Sequence, residues 1–301
     1  CPEDPRAPRD EPDFALNYPL VDGSTSTHPL AVLIACELLD VPCRWESDLW
    51  DGTTRLLPDV SQPGRKHVAM HTFRTVFHTG THGSYVNLIE DSVDLILVAR
   101  LPSQDELNLA ESLGVELDAQ AVALDAFVFL TNRHNPVTGL TTKQIQDIYT
   151  GRITAWSEVG GADAEIHAYQ RDENSGSQEL MKTLVMKGLE MIEPGEPMVL
   201  EGMLGPINRL SEDRYGIGYS VYFFEEFMAP NEEIKLVAVD GVTPSYKTIG
   251  ARKYPFTTEV YVVVRKGQSE DSPGYRLRDW LLSAEGQQVV KKSGYVPIDQ
   301  G

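Results

Sequence analysis

The stretch AYQRDENSGSQELM, Ala168 to Met181, decides how the chain is read. An apolar run ends in one arginine, Arg171. A small polar loop follows, Asn174-Ser175-Gly176-Ser177, and the chain then takes up a helical pattern. A helix N-terminus carries N–H groups with no intrahelical partner and the positive end of the macrodipole. An arginine beside such an end marks a place for an anion. Alone, the stretch reads as a capping loop with a solvated arginine, since Ser and Asn are common caps.

Two other loops share the form. In ALNYPLVDGSTSTHPLAVLIACELL a short strand, Tyr18 to Val21, leads into the polar loop 22–27. Pro29 suits the first turn of a helix, and Leu30, Val32, Leu33, Cys36, Leu38 and Leu39 give it a buried side. In HVAMHTFRTVFHTGTHGSYVNLIEDSVDLILVAR the residues Phe73 to Phe77 read as strand, 79–84 as loop, and a short helix follows through Asn87 and Leu88. Val93 to Val98 is a near-continuous apolar run, the mark of a buried parallel strand. Further strands are expected in AQAVALDAFVFLTN, AEIHAYQ, GIGYSVYFF and TTEVYVVVRK. LTTKQIQDIYTG reads as a helix capped by Thr141 or Thr142, with Gly151 just past its end. YRLRDWLLSAEGQQVVKKSG reads as one amphipathic terminal helix. Strands alternating with helices predict an α/β fold with parallel-rich sheets. Ligands of such sheets bind outside the carboxyl ends of the strands. The loops 22–28, 79–84 and 171–177 would converge there into a cage for a small tetrahedral anion.

With 301 residues the chain is long enough for one large domain or two ordinary ones. No run of eighteen apolar residues occurs, and no repeat at solenoid spacing. The formal net charge of -19 argues against nucleic acid as a partner. It also repels anions at long range, so an anion site needs local donors within about 8 Å, one Debye length.

The cysteines are Cys1, Cys36 and Cys43, without a metal-type CxxC pair. The segment PEDPRAPRDEPDF after Cys1 is rich in proline and charge and reads as a tether over residues 1–13. Cysteine followed by a tether suggests a bacterial lipoprotein acylated at Cys1; a boundary that happens to fall on cysteine is the plainer reading. Cys36 and Cys43 read equally as a short-loop disulfide of an oxidising compartment and as a small core residue with a free neighbour. His67, His71, His78 and His82 fall close together. The i, i+4 pair His67 and His71 would suit zinc on a helix, but Val68 stands where a metalloprotease places Glu, so no metal site is assigned. His28 and His82 remain candidate loop donors. G-x-S-x-G is absent, so no catalytic residues are assigned. Tyr219, Tyr222 and Tyr254 read as core or cleft aromatics, and the acidic surplus as solvated surface.

Taken in order, DGSTSTHPL, LTTKQIQDIYTGRITAWSEVGG, RDENSGSQ, GIGYSVYFF and EGQQVVKKSGYVPI resemble the phosphate-binding substrate-binding proteins of ABC transporters, of the type II periplasmic-binding fold. The resemblance covers nearly the whole chain after the tether. It implies two lobes, residues 14–120 with 257–301 and residues 122–255, with helices on both sheet faces. A two-strand hinge is implied near Ala123 to Leu130 and Thr257 to Arg265. It implies a monomeric, extracytoplasmic binding protein without cofactor, held to the membrane only through a lipid on Cys1. Such a protein captures an inorganic oxyanion, foremost phosphate, and delivers it to an ABC permease. Ligand donors are implied at Thr25, Ser26, Thr27, His28, Thr81, Arg171, Ser175, Gly176 and Ser177. One departure stands out: VDLILVARLPS carries Ala99 and Arg100 where the family has a carboxylate that accepts a proton from phosphate. Arg100 is therefore read as a second pocket cation, with an outward surface charge as the alternative, and Asp94, Asp125 or Asp172 as substitute acceptors. A sensor or adhesion lipoprotein of the same fold, binding sulfate or a small phosphorylated or carboxylated ligand, is the competing reading. A phosphate-ester hydrolase is the more distant one.

Overall fold

In the computed structural model residues 17–48, 52–61, 66–195 and 198–298 are described. The expected tether and Cys1 fall outside them. The strand Leu117–Asn132 organises the rest. Its first part pairs antiparallel with Thr257–Arg265, from Thr257 opposite Ala126 to Arg265 opposite Leu117. Its last part is flanked on both sides: Leu130 faces Gly218 of the strand Gly216–Val221 and Leu236 of the strand Ile234–Leu236. One strand thus belongs to two halves of the molecule, which we call lobe one and lobe two.

Lobe one continues from Thr257–Arg265 to Leu95–Val98, antiparallel, and from there to Val21–Gly23, parallel. Lobe two continues from Gly216–Val221 to His167–Ala168, parallel. The parallel pairing expected from the sequence therefore holds at the outer strands. The long central strands run antiparallel because one carries the chain out of lobe one and the other brings it back.

The apolar run at Leu95–Val98 is buried on both faces, as its composition requires. Strand alternation sends Leu95 and Leu97 into the larger core and Ile96 and Val98 into a smaller cluster with Tyr85, Leu88, Val93 and Val263. The helix His28–Leu38 covers the first face and the helix Gly80–Ile89 the second. Each fully buried Leu, Ile or Val contributes about 1.5–3 kcal/mol to holding these layers together.

Two expectations change. Phe73 to Phe77 is not a strand: Lys66–Thr75 is a helix that buries Ala69, Thr72 and Thr75 and leaves Met70 and Phe73 exposed. The aromatic and β-branched residues suggested a strand, but burial follows the helical period; only Val76 bridges to Val21. The terminal segment forms two helices, Pro273–Leu282 and Ala284–Ser293, with Ser283 capping the second through the N–H of Gly286. Of the two readings left open for Cys36 and Cys43 the disulfide is the one found, tying the helix His28–Leu38 to the strand Cys43–Ser47. No helix of the described residues is long and apolar enough to cross a membrane.

Candidate functional site

The first loop leaves the strand Val21–Gly23 through a glycine that nothing else can replace. A Cβ at Gly23 would lie 2.4 Å from the Leu97 carbonyl oxygen. The loop then folds on itself: the Thr27 hydroxyl donates to the carbonyls of Leu97 at 2.6 Å and Ser24 at 3.0 Å. Thr27 is thereby fully occupied beneath the loop, while Ser24, Thr25 and Ser26 face the cleft.

The second loop is held by a residue of the first. Asp22 is completely buried, and its carboxylate accepts from the Thr79 N–H at 2.8 Å, the Thr79 hydroxyl at 2.7 Å and the Asn87 amide at 2.8 Å. This places the start of the helix Gly80–Ile89 beside the first loop. The Ser24 and Thr81 hydroxyls then meet at 2.7 Å.

The third loop comes from lobe two. The Ser175 hydroxyl accepts the Gln178 N–H and caps the helix Gly176–Leu180. The Arg171 backbone N–H donates to the Tyr219 hydroxyl at 3.0 Å and to the Gln178 side chain at 3.2 Å. Arg171 is only 6% exposed. Its Nε donates to the Leu200 carbonyl at 2.8 Å, one terminal nitrogen touches the Met203 sulfur at 3.7 Å, and the other reaches Asp172 at 3.3 Å. A guanidinium has five N–H donors in a planar fork. Donors on both terminal nitrogens stay open among the described residues. Burial pulls the group below its usual pKa, with Asp172 opposing; at any ordinary pH it remains a cation.

These loops enclose a cavity of about 260 Å³. That is smaller than the ~300–1,000 Å³ of pockets for drug-sized ligands, and suits one small ion with some water. Its wall joins Ser24, Thr25, Ser26, Thr79, Gly80 and Thr81 of lobe one to Arg171, Asp172, Asn174, Ser175, Gly176 and Ser177 of lobe two. Hydroxyls, backbone N–H groups and one fixed guanidinium make a donor-rich lining inside an acidic protein, the local construction that an anion site needs.

Thr25, Ser26, Thr81, Arg171, Ser175, Gly176 and Ser177 thus meet on one cavity wall as expected. Thr27 and His28 do not. The His28 ring packs against His78, centroids 4.5 Å apart, and burial, then His78 and Arg55, pull its pKa down to about 3. It is a neutral packing residue. Arg100 is likewise off the wall. It is 6% exposed, and both terminal nitrogens bind the Glu106 carboxylate at 2.8 Å. The second pocket cation is spent on a buried partner. Of the substitute acceptors, Asp94 takes the Leu20 N–H and Asp125 lies in the core of the crossing strand; only Asp172 reaches the cavity. His67 and His71 share one helix, but no group of three metal-ligating side chains occurs among the described residues. Ser24, Thr79 and Asn174 lie in the three expected loops without having been singled out, and Met203, outside them, is brought in by tertiary closure rather than by a local motif. Glu106 was also missed, although Ser103-x-x-Glu106 is a visible capping box three residues after Arg100.

Residues 69–285 match the model of the PBP superfamily domain. The chain is similar to the phosphate-binding protein PstS of Staphylococcus saprophyticus, 24% identical over 82% of this chain and 79% of the relative. It is similar to PstS of Borreliella burgdorferi, 25% identical over 58% of this chain and 64% of that relative's length. Among solved structures, its fold is similar to a Clostridium perfringens protein with bound phosphate, TM-score 0.67 and 23% identity over 93% of this chain and 98% of the other. It is also similar to an ABC-type phosphate transport receptor from Vibrio cholerae, TM-score 0.63 and 18% identity over 92% and 98%.

Proposed function

The chain belongs to the PBP superfamily, and from that membership we propose that it captures inorganic phosphate between its lobes and presents it to an ABC permease. The observation that carries the reading is Arg171. A nearly buried guanidinium, fixed through Nε, keeps open donors toward a cavity lined by hydroxyls and helix N–H groups. Burying such a cation is costly unless an anion completes its shell. The curated relatives are phosphate-binding proteins, which supports phosphate as that anion. Thr25, Ser26 and Thr81 supply donors from lobe one, and Ser175, Gly176 and Ser177 from lobe two. A ligand touching both lobes favours their closed arrangement, and a permease that recognises closure then reads occupancy.

No covalent step is needed: the protein binds and releases the ion. Work at the outer face of the membrane agrees with the Cys36–Cys43 disulfide, which belongs to oxidising compartments. Equilibrium dialysis against labelled phosphate tests the proposal. One equivalent should be retained and displaced by unlabelled phosphate but not by chloride or acetate. Retention of no phosphate, or displacement by every anion alike, would refute it.

A further inference from the structure

Resting on that reading, we propose that His82 is the residue that selects phosphate over sulfate, as a hydrogen-bond acceptor at Nε2 whose ring is oriented by Glu106. Phosphate at neutral pH carries a proton on at least one oxygen and sulfate carries none. A pocket made only of donors holds either ion. Discrimination needs a group that accepts a hydrogen bond, which a phosphate O–H satisfies and a bare sulfate oxygen cannot.

His82 stands on the cavity wall, in the first turn of the helix Gly80–Ile89. Its Nδ1 lies 3.0 Å from the Glu106 carboxylate. Glu106 has no exposed surface. It receives both terminal nitrogens of Arg100 at 2.8 Å and the Ser103 N–H at 2.7 Å. Burial alone would raise its pKa, but the Arg100 bonds and charge, with Ser103 and His82, hold the carboxyl below the usual range. It is therefore ionised and has no proton to give. The Nδ1–H of His82 must be the donor. In the neutral ring this leaves Nε2 as an acceptor, and among the described residues Nε2 has no protein partner. Arg100 thus acts two steps away: it fixes Glu106, and Glu106 fixes the tautomer and the ring. Tyr85, one turn after His82, lies 5.6 Å from the Arg100 guanidinium and donates its hydroxyl to the Arg100 carbonyl, which locks the same helix face to the pair. His82 itself is 40% exposed, so it is adjustable without disturbing the core.

The rival acceptor is Asp172, which lines the same cavity but is turned toward Arg171 at 3.3 Å. The test is calorimetric titration of phosphate and of sulfate into the full chain, into His82→Ala and into Asp172→Asn. His82→Ala should weaken phosphate roughly 10- to 100-fold, the range for a hydrogen bond involving a charged group, while sulfate affinity does not fall with it. Glu106→Gln, as a positioning variant, should shift the His82 nitrogen signals in NMR toward the other tautomer and lower the same ratio. Three results would overturn the assignment. Phosphate and sulfate weakening together in His82→Ala would make it a general donor. An unchanged ratio would leave it without a role. A ratio lost only in Asp172→Asn would move the acceptor there. Failure of the unaltered protein to bind either ion is a different outcome and removes the phosphate reading itself.

Discussion

Gly176 and Thr81 face each other across the cleft so closely that a Cβ on the glycine would lie 2.4 Å from the threonine hydroxyl oxygen. One residue belongs to a loop of lobe two and the other to a loop of lobe one. Their approach is the point where the two halves of the cage meet. Gly176 has an ordinary helical backbone, so the restriction is one of space and not of dihedral angle.

Gly176→Ala should therefore force the Thr81 side chain and the two loops apart and weaken phosphate at least tenfold in a calorimetric titration. Its cause is separable. Thr81→Ala removes the oxygen that the new methyl would strike, so the double variant should bind no worse than Thr81→Ala alone. Additive losses in a double-mutant cycle would mean that the contact is incidental.

Arg100 and Glu106 form a buried pair at two 2.8 Å contacts. Arg100→Leu leaves a buried carboxylate without its cation and should destabilise the fold by about 3–5 kcal/mol. Replacing both residues by leucine should recover part of that loss in a urea titration. A pocket role for Arg100 would give the opposite pattern, with phosphate binding abolished and stability intact.

Asp125 sits on the crossing strand, 2% exposed. One oxygen accepts from Ala126 and Phe223, and the other has no partner among the described residues. Burial pushes its pKa up to about 7, against the two hydrogen bonds. The folded protein therefore holds a proton that the unfolded chain loses near pH 4. Its contribution to stability is complete below about pH 4 and is lost as the pH rises through about 7. Asp125→Asn should flatten the thermal-melting profile between those limits. A profile unchanged from pH 4 to 8 would show that Asp125 is ionised throughout.

His28 works in the other direction. With its folded pKa at about 3, the unfolded chain takes up a proton below about pH 6.5 that the folded chain refuses. Stability present above pH 6.5 is lost as the pH falls toward 3. His28→Phe, which keeps a ring against His78, should reduce the acid-side fall in melting temperature. It should leave phosphate affinity near its original value, since His28 is off the cavity wall.

The sequence made the third loop legible because Arg171, Ser175, Gly176 and Ser177 fall within one short stretch and their chemistry depends on local geometry. The strand Leu95–Val98 was legible because burial on both faces leaves an unbroken apolar run, and Leu117–Asn132 because its buried part from Val122 onward is mostly apolar. Arg100 was misread for the converse reason. Its meaning lies in Glu106, and a sequence shows a charge before it shows what neutralises it. Asp22 was read as part of a polar loop, yet its carboxylate holds the second loop 57 residues away. Thr27 and His28 belong to the right loop, but the turn that sets Thr25 and Ser26 on the cavity wall points them inward.

The proposed function stands on Arg171 binding an anion in the cleft. Calorimetric titration of phosphate into the intact chain and into Arg171→Ala tests it most directly, with thermal melting of both unliganded proteins alongside and Arg171→Lys as the milder change. One saturable site is expected in the intact chain. Arg171→Ala should lose roughly 100-fold or more, from two charge-assisted hydrogen bonds, and Arg171→Lys, which keeps the charge without the fork, should lose less. Equal affinity in all three, with both variants folded, would contradict it.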